Sequence, residues 1–484
     1  MMASERIPPT TLRGVTEEFL KLEDELDLFE QEIDGVHFWE RLRFFIHRRI
    51  VEEIGLIGQA HTKLEPTLRN QFSILLHSLP NVILRNPYCT TQKDILLYGH
   101  QRRKLRGDGL WWDIYCDPIL EGMAFSYLYI EPYYLGTHMT PPKTANIRYL
   151  DSIAILSALL RKTGLITQRL PPGALARLCE IQHYLETEFR ADINLVAMVR
   201  SSLLARKASL PLYQGLLRKV KPKLVLLVAS YGKETFVEAC KEQGIPVAEL
   251  QHGVVSPYHM GYSYPGPRRV KRDFPDYFLA FGDYWRERVD FPISRERIYS
   301  VGFPFFDLES RKYMQAPKKN QILFLSQGTI GRALSEFAVS LRKSGHCNYE
   351  IVYKLHPGEY HRWRMEYPWL ATENIRVIDD DSISLYQLLA ESKIQVGVNS
   401  TALFEGLGLG LNTILVDLPG IEYMKDLIEN RYAVLVNSID GFLSQLEGRE
   451  PVPKYLREAI FRSDSIRQLA DVIEELTDSS CVRR

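Results

Sequence analysis

The chain has 484 residues, more than one hydrophobic core usually organises, so two main domains with helical additions are expected. Sixty basic and sixty acidic side chains cancel, so nothing in the charge balance calls for nucleic acid as the principal partner. Six scattered cysteines (Cys89, Cys116, Cys179, Cys240, Cys347, Cys481) form no C-x-x-C pair, which argues against a disulfide framework or a zinc site and fits a reducing cytoplasm.

The segment Met1 to Thr11 lacks the apolar core of a signal peptide, and no window approaches the roughly 18 apolar residues of a spanning helix. The expectation is a cytoplasmic protein, at most peripheral on the inner face of the cell membrane. Residues 1–90 read as a helical extension, with helices over 15–33, 38–54 and 68–79, the last ending near Pro80. Phe38, Trp39, Phe44 and Phe45 alternate with Arg41, Arg43, Arg48 and Arg49. That pattern suits a helix that buries its aromatics and solvates its arginines, or one lying on an anionic membrane surface.

Residues 91–309 read as a first Rossmann-like domain. Strands are expected over 94–100, 126–132, 223–229, 246–250, 276–282 and 298–302, with a long helical insertion over about 150–206. A polar stretch, 310–319, has the composition of a linker. Residues 320–438 repeat the alternation, with strands over 321–325, 349–355, 374–378, 394–398 and 413–416. Strands alternating with helices imply parallel sheets covered on both faces. Residues 439–484 read as C-terminal helices, the last crossing back onto the first domain. The expected fold class is α/β, two doubly wound domains facing across a cleft with an N-terminal helical extension, an arrangement that resembles the GT-B architecture.

Two strand-ending turns stand out. In Lys354-Leu355-His356-Pro357-Gly358 and Val398-Asn399-Ser400-Thr401-Ala402, short β-branched runs stop at polar and small residues. That is how a buried parallel strand hands over to a loop at its carboxyl end, where open α/β sheets bind ligands. Helical pattern begins directly after Asn399, so Ser400 and Thr401 fall at a helix N-terminus suited to phosphate. Glu405, one turn further, is placed to accept two hydrogen bonds from a ribose diol or to answer the helix dipole. Gln327, Gly328 and Thr329, beside Ser326, repeat the logic at the first strand of the second domain. Asp379-Asp380-Asp381 contains a formal D-x-D but reads as a solvated acidic loop, so no metal is expected. Arg102-Arg103-Lys104 reads as a solvated charge run, or a holder of an anionic acceptor.

The order and context of these turns resemble the HP and S-S/T motifs of bacterial sialyltransferases and polysialyltransferases. That resemblance implies that His356 and Pro357 contact the nucleotide of a CMP-sugar and that Ser400 and Thr401 bind its phosphate. Glu249-Leu250-Gln251-His252-Gly253 and the stretch from Phe281-Gly282 to Val301-Gly302-Phe303-Pro304 are similar to capsule polysaccharide transferases, including Kdo-transferring and teichoic-acid-like enzymes. The likeness covers residues 220–420 and implies an inverting, metal-independent glycosyltransferase with no cofactor. Its donor would be a CMP-sialic acid- or CMP-Kdo-like sugar and its acceptor a surface polysaccharide or lipid-linked glycan. The family's D/E-D/E-G motif has only partial echoes, at Asp34-Gly35 and Asp108-Gly109. Candidate acceptor-side groups are therefore Asp108, Asp113, Asp117 and His252. Alternatives are a CDP-glycerol or CDP-ribitol phosphotransferase using His252 and His356, a UDP-sugar 2-epimerase, and a non-catalytic capsule-assembly scaffold. Against the epimerase, Asn399-Ser400-Thr401-Ala402 replaces the expected aspartate-serine-glycine-glycine turn.

Overall fold

The computed structural model describes residues 9–57, 68–446 and 452–482. Its strands, in chain order, are β1 Ile95–Tyr98, β2 Lys104–Leu105, β3 Trp111–Trp112, β4 Tyr127–Glu131, β5 Ile147–Tyr149, β6 Leu224–Val228, β7 Val247–Leu250, β8 Tyr277–Ala280 and β9 Ile298–Ser300. The second domain continues with β10 Gln321–Leu325, β11 Glu350–Lys354, β12 Arg376–Ile378, β13 Ile394–Gly397, β14 Asn412–Val416 and β15 Val434–Val436. Strands β2 and β3 form a small antiparallel hairpin; every pairing within the two large sheets is parallel.

The large sheets run β5-β4-β1-β6-β7-β8-β9 and β12-β11-β10-β13-β14-β15. In both, the first strand lies inside the sheet, the next two extend to one side and the rest to the other. The order therefore reverses between β1 and β6 and again between β10 and β13. Loops diverge there at the carboxyl ends and leave a crevice. Strands β1, β6, β7 and β10 are buried at every residue, because helices cover both faces and no polar face is left to alternate.

The domains share one core at the base of the cleft. A single apolar cluster joins Phe278, Trp285 and Phe303 of the first domain to Leu403, Phe404 and Leu415 of the second. The rings of Trp285 and Phe404 lie 4.6 Å apart. The last helix, Ser465–Val482, crosses back as expected, setting Leu469, Ile473 and Leu476 against Leu224 and Leu226 of β6. Trp285 Nε1 donates to Ile460 O at 2.8 Å and locks this return.

The amino-terminal helices Leu12–Glu25 and Phe38–Glu53 do not stand apart. They share a core with Pro172–Phe189 and Leu195–Val220, so extension and insertion form one helical layer. The arginines expected to be solvated divide. Arg41 and Arg43 are buried, paired with Glu238 and Asp273 and with Glu23 respectively, while Arg48 and Arg49 stay at the surface beside Glu52 and Glu53. Phe38 and Trp39 are inside and Phe44 stacks on His259, while Phe45 is exposed on the side of Arg48 and Arg49. No helix among the described residues is long and apolar enough to cross a membrane.

Three further differences have local causes. The edge strands β5 and β15 and the β2–β3 hairpin are two or three residues long, too short to show a period. Helix Leu68–Leu84 runs through Pro80. The polar stretch after 310 opens as helix, since Pro304–Tyr313 continues into it from a proline at its first turn.

Candidate functional site

Three turns of the second domain meet where its strand order reverses, because β11, β10 and β13 are neighbours. After β13, Ser400 caps helix Thr401–Gly408, its hydroxyl accepting from Ala402 N. Asn399 is fixed by donating Nδ2 to Gly420 O at 3.0 Å. After β10, Gln327 donates Nε2 to Asn399 O, which ties the first and fourth turns together across the crevice. Gly328 lies against the Arg362 guanidinium, which donates to its carbonyl at 3.3 Å, while Thr329 is exposed at the rim.

After β11, His356 caps the short turn Pro357–Glu359. Its Nδ1 accepts from Gly358 N at 3.1 Å, so the neutral ring carries its proton on Nε2, which has no protein acceptor among the described residues. Burial, with Arg102, Lys354, Arg362 and Lys104 nearby, moves the imidazole down to about 4. His356 is thus a neutral Nε2–H donor. Glu359, not singled out in the sequence, organises this turn. It is fully buried, accepts from His356 N at 2.8 Å and Tyr367 at 2.8 Å, and takes a hydrogen bond from Ser326 at 3.0 Å. Its signal was the H-x-x-E spacing of a capping box.

Across the cleft, β1, β6 and β7 of the first domain deliver His100, Tyr231 and His252 at their carboxyl ends. His252 Nε2 lies 2.8 Å from the Tyr231 hydroxyl and Nδ1 lies 3.3 Å from that of Tyr262. Its carbonyl accepts from Tyr115 at 2.7 Å. Burial, with His100, His259 and Lys233 nearby, holds this imidazole well below its usual range. Gly253 comes next and faces Thr401: a methyl group at Gly253 would stand 3.8 Å from Thr401 Oγ1. Glu405 lies one turn further along the same helix. Burial raises its carboxyl, opposed by Lys104 of the first domain and by the Tyr386 hydroxyl.

The first-domain aspartates are otherwise engaged. Asp113 is 1% exposed and accepts from His100 N at 3.0 Å, Tyr129 at 2.7 Å and Tyr115 N at 2.9 Å. Asp117 accepts from Asp113 N at 2.7 Å and Thr144 at 2.6 Å, and meets Arg103 at 3.4 Å. Asp108 is exposed and closes the β2–β3 hairpin, accepting from Leu110 N and Trp112 Nε1, each at 3.0 Å. These carboxylates hold loops. Of the basic run, Arg103 is buried against Glu131 and Asp117, while Arg102 and Lys104 remain exposed, with no ion pair among the described residues. Asp379, Asp380 and Asp381 bond to Trp363, Ser382 and Tyr360 respectively. Among the described residues no group of three or more His, Cys, Asp or Glu side chains is placed to hold a metal ion.

No protein-family model matches the chain, and no curated protein matches it in sequence. Solved structures resemble it in fold. The UDP-GlcNAc 2-epimerase of Methanocaldococcus jannaschii is 12% identical, with a TM-score of 0.47 over 79% of this chain and 99% of that one. The UDP-GlcNAc 2-epimerase of Neisseria meningitidis, bound to UDP-GlcNAc, is 14% identical, with a TM-score of 0.44 over 79% of this chain and 98% of that one. The wall teichoic acid polymerase TagF is 14% identical, with a TM-score of 0.42 over 85% of this chain and 99% of that one. At such identities the likeness concerns architecture alone. Two Rossmann-like domains facing across a cleft make the chain GT-B-like.

Proposed function

We propose that the chain is a glycosyltransferase that takes a sugar from a nucleotide-activated donor, a CMP-linked acid sugar of the sialic acid or Kdo kind. The acceptor is a hydroxyl of a surface polysaccharide or lipid-linked glycan. The observation that carries this reading is convergence across one cleft: the His356 turn and the Ser400-Thr401 helix N-terminus on one wall, the His252-Gly253 turn on the other. Backbone N–H groups at that helix start and the Nε2–H of His356 are donors for a phosphate that becomes more anionic as the sugar leaves. Gln327, Gly328, Thr329, Asn399 and Pro357 shape the nucleotide side, and Glu405 is the acceptor for its ribose hydroxyls. The acceptor hydroxyl enters from the His252 wall. Neither step calls for a metal or an organic cofactor.

A second reading, transfer of a polyol phosphate from CDP-glycerol or CDP-ribitol, is favoured by Arg102 and Lys104, which lie near enough to the His356 turn to act on its ring and form no ion pair among the described residues. Two cations there suit a second anionic group beyond the first phosphate. In the first reading that group is the sugar carboxylate, in the second the β-phosphate.

Thermal shift with CMP, CDP, UDP and GDP tests both, since a specific ligand raises the melting temperature by mass action. Release of CMP from CMP-sugars supports the first reading, and release of CMP from CDP-glycerol or CDP-ribitol the second, since attack on the β-phosphorus also expels CMP. UDP selectivity favours an epimerase instead, and binding without turnover of any donor favours a scaffold.

A further inference from the structure

Asp108, Asp113 and Asp117 are engaged in holding loops, yet transfer to a hydroxyl needs a destination for its proton. A buried acid lies one shell deeper. Glu249, on β7, is 0% exposed in the middle of an otherwise apolar strand. Its Oε1 accepts from Ser230 N at 3.2 Å and from the Tyr262 hydroxyl, whereas Oε2 is buried without a hydrogen-bond partner. The same Tyr262 oxygen meets His252 Nδ1, and His252 Nε2 meets Tyr231, so the four groups form an unbroken line from the interior to the carboxyl end of β6.

The line has a polarity that Glu249 sets. With the carboxylate ionised, Tyr262 donates its only proton to Glu249 and its oxygen accepts from His252 Nδ1–H. The ring's Nε2 is then bare and accepts from the Tyr231 hydroxyl, whose lone pairs stay open. With Glu249 protonated every donor becomes an acceptor. Because both ring nitrogens are occupied, His252 exchanges protons with the cleft only through Tyr231.

We infer that Glu249, Tyr262, His252 and Tyr231 form a proton wire that draws the acceptor hydroxyl's proton into the first domain. In one turnover the acceptor proton moves to Tyr231 Oη as the Tyr231 proton moves to His252 Nε2. The Nδ1 proton passes to Tyr262, and the Tyr262 proton to Glu249. The acceptor oxygen's electron pair forms the new bond to the donor as the bond to the nucleotide breaks, that pair leaving on the phosphate. Product release lets the proton return along the same line to water. Tyr231 is the catalytic residue of the four; the other three act through it.

The surroundings fit a carboxyl that takes up a proton more readily than an exposed one. Burial raises the Glu249 carboxyl, opposed by Ser230, Tyr262 and Lys233, and a raised carboxyl is the better proton acceptor there. Lys271 also lies close enough to feel Glu249. Around His252 stand His100, His259 and Lys233, which disfavour a full positive charge on the ring, so the proton passes through without resting.

The inference rests on the transferase reading for its substrate but not for its geometry, so two measurements separate them. In full-length protein with 15N-labelled histidine, assigned with a His252→Asn variant, His252 is expected as the Nδ1–H tautomer at neutral pH. Tyr262→Phe should shift it toward Nε2–H. An Nε2–H ring in the wild type at neutral pH overturns the wire whether or not a donor is ever found. In turnover with a CMP- or CDP-linked donor, Tyr231→Phe and Glu249→Gln should each lower kcat by about 10²–10⁴-fold with nucleotide affinity unchanged, and should abolish the acidic limb of the pH–rate profile. Wild-type rates and profile in a folded Tyr231→Phe variant overturn the wire while leaving the transferase reading standing. Absence of turnover in the wild type tells against that reading alone, and the tautomer then decides the wire.

Discussion

Gly253 and Thr401 face each other across the cleft, so close that a methyl group on Gly253 would stand 3.8 Å from the Thr401 hydroxyl. One belongs to the turn after β7, the other to the first residue of the helix after β13, and their approach defines a slot between the domains. That spacing is ordinary van der Waals contact, so Gly253→Ala should change unfolding free energy by less than about 0.5 kcal/mol. Gly253→Leu should fold equally well yet weaken nucleotide binding at least about tenfold, read by calorimetry, because the longer side chain fills the slot. Undiminished affinity in the leucine variant would move the nucleotide elsewhere.

On the opposite side of the slot, replacing Ser400 and Thr401 together by alanine should weaken nucleotide binding by about 1–3 kcal/mol, the scale of hydrogen bonds to charged groups. Ser400 also accepts from Ala402 N, so the helix loses a cap worth about 0.5–2 kcal/mol of stability. Calorimetry and denaturation read the two losses separately. A stability loss without an affinity loss would leave Ser400 a cap and nothing more.

The two histidines should separate by kinetics. His252→Ala is expected to lower kcat by about 10²–10⁴-fold with nucleotide affinity nearly intact, since the ring lies on the acceptor wall. His356→Ala should damage both affinity and kcat if, as proposed, its Nε2–H donates to the donor phosphate. Equal effects of the two substitutions on nucleotide affinity would contradict the division of walls.

How much of this was legible in the sequence depends on how local the cause is. Runs such as Leu224-Val225-Leu226-Leu227-Val228 announce a strand because each residue is buried, and the turns at His356 and Ser400 announce themselves because a strand and its loop are adjacent in the chain. Glu249 carried a weaker signal, one acid within an apolar strand, whose meaning depends on Tyr262, 13 residues on, and Ser230, 19 residues back. Nor does the helical pattern of Phe38–Glu53 distinguish a solvated arginine from Arg43. Its partner Glu23 is 20 residues upstream, and its carbonyl acceptors Met260 and Ser263 are more than 200 residues downstream. Interactions of that separation are products of the fold, and periodicity cannot show them.

Acid should loosen the fold in a window set by histidines. Burial moves His47 down from 6.5 to about 3, His259 to about 4 and His356 to about 4, and lowers His100 and His252 as well. Each ring therefore binds a proton more readily in the unfolded chain, so stability is full above about pH 6.5 and is lost as pH falls toward the folded values. Each excluded proton costs about 1.4 kcal/mol per pH unit once well inside the window. His138, raised by Asp151 and Glu131 against its burial, works in the opposite sense. Urea denaturation from pH 7.5 to 5 should show the decline, and His47→Gln should reduce its slope by close to one proton. Carboxyls that burial raises, Asp117 to about 7 with Glu249 and Glu405, oppose this trend, so the variant is the test: an unchanged slope in His47→Gln would contradict the burial of that ring.

The last prediction joins the amino-terminal layer to the cleft. Arg43 and Glu23 are both 0% exposed and form an ion pair at 2.8 Å, with Trp39 Nε1 donating to the same carboxylate at 2.8 Å. Arg43 also donates to Met260 O at 2.9 Å and Ser263 O at 2.7 Å, so it grips the loop that carries Tyr262. Arg43→Met should cost about 3–5 kcal/mol, since Glu23 is left buried with Arg269 as its remaining close cation and two carbonyls lose their donor. Adding Glu23→Gln should recover part of that loss, and the coupling can be measured as a double-mutant cycle in urea. Because the loop holds Tyr262 against His252, Arg43→Met should also lower kcat at temperatures where it remains folded, with nucleotide affinity unchanged. Loss of stability at unaltered kcat would show that the loop keeps its shape without Arg43, and that the helical layer supports the fold but not the site.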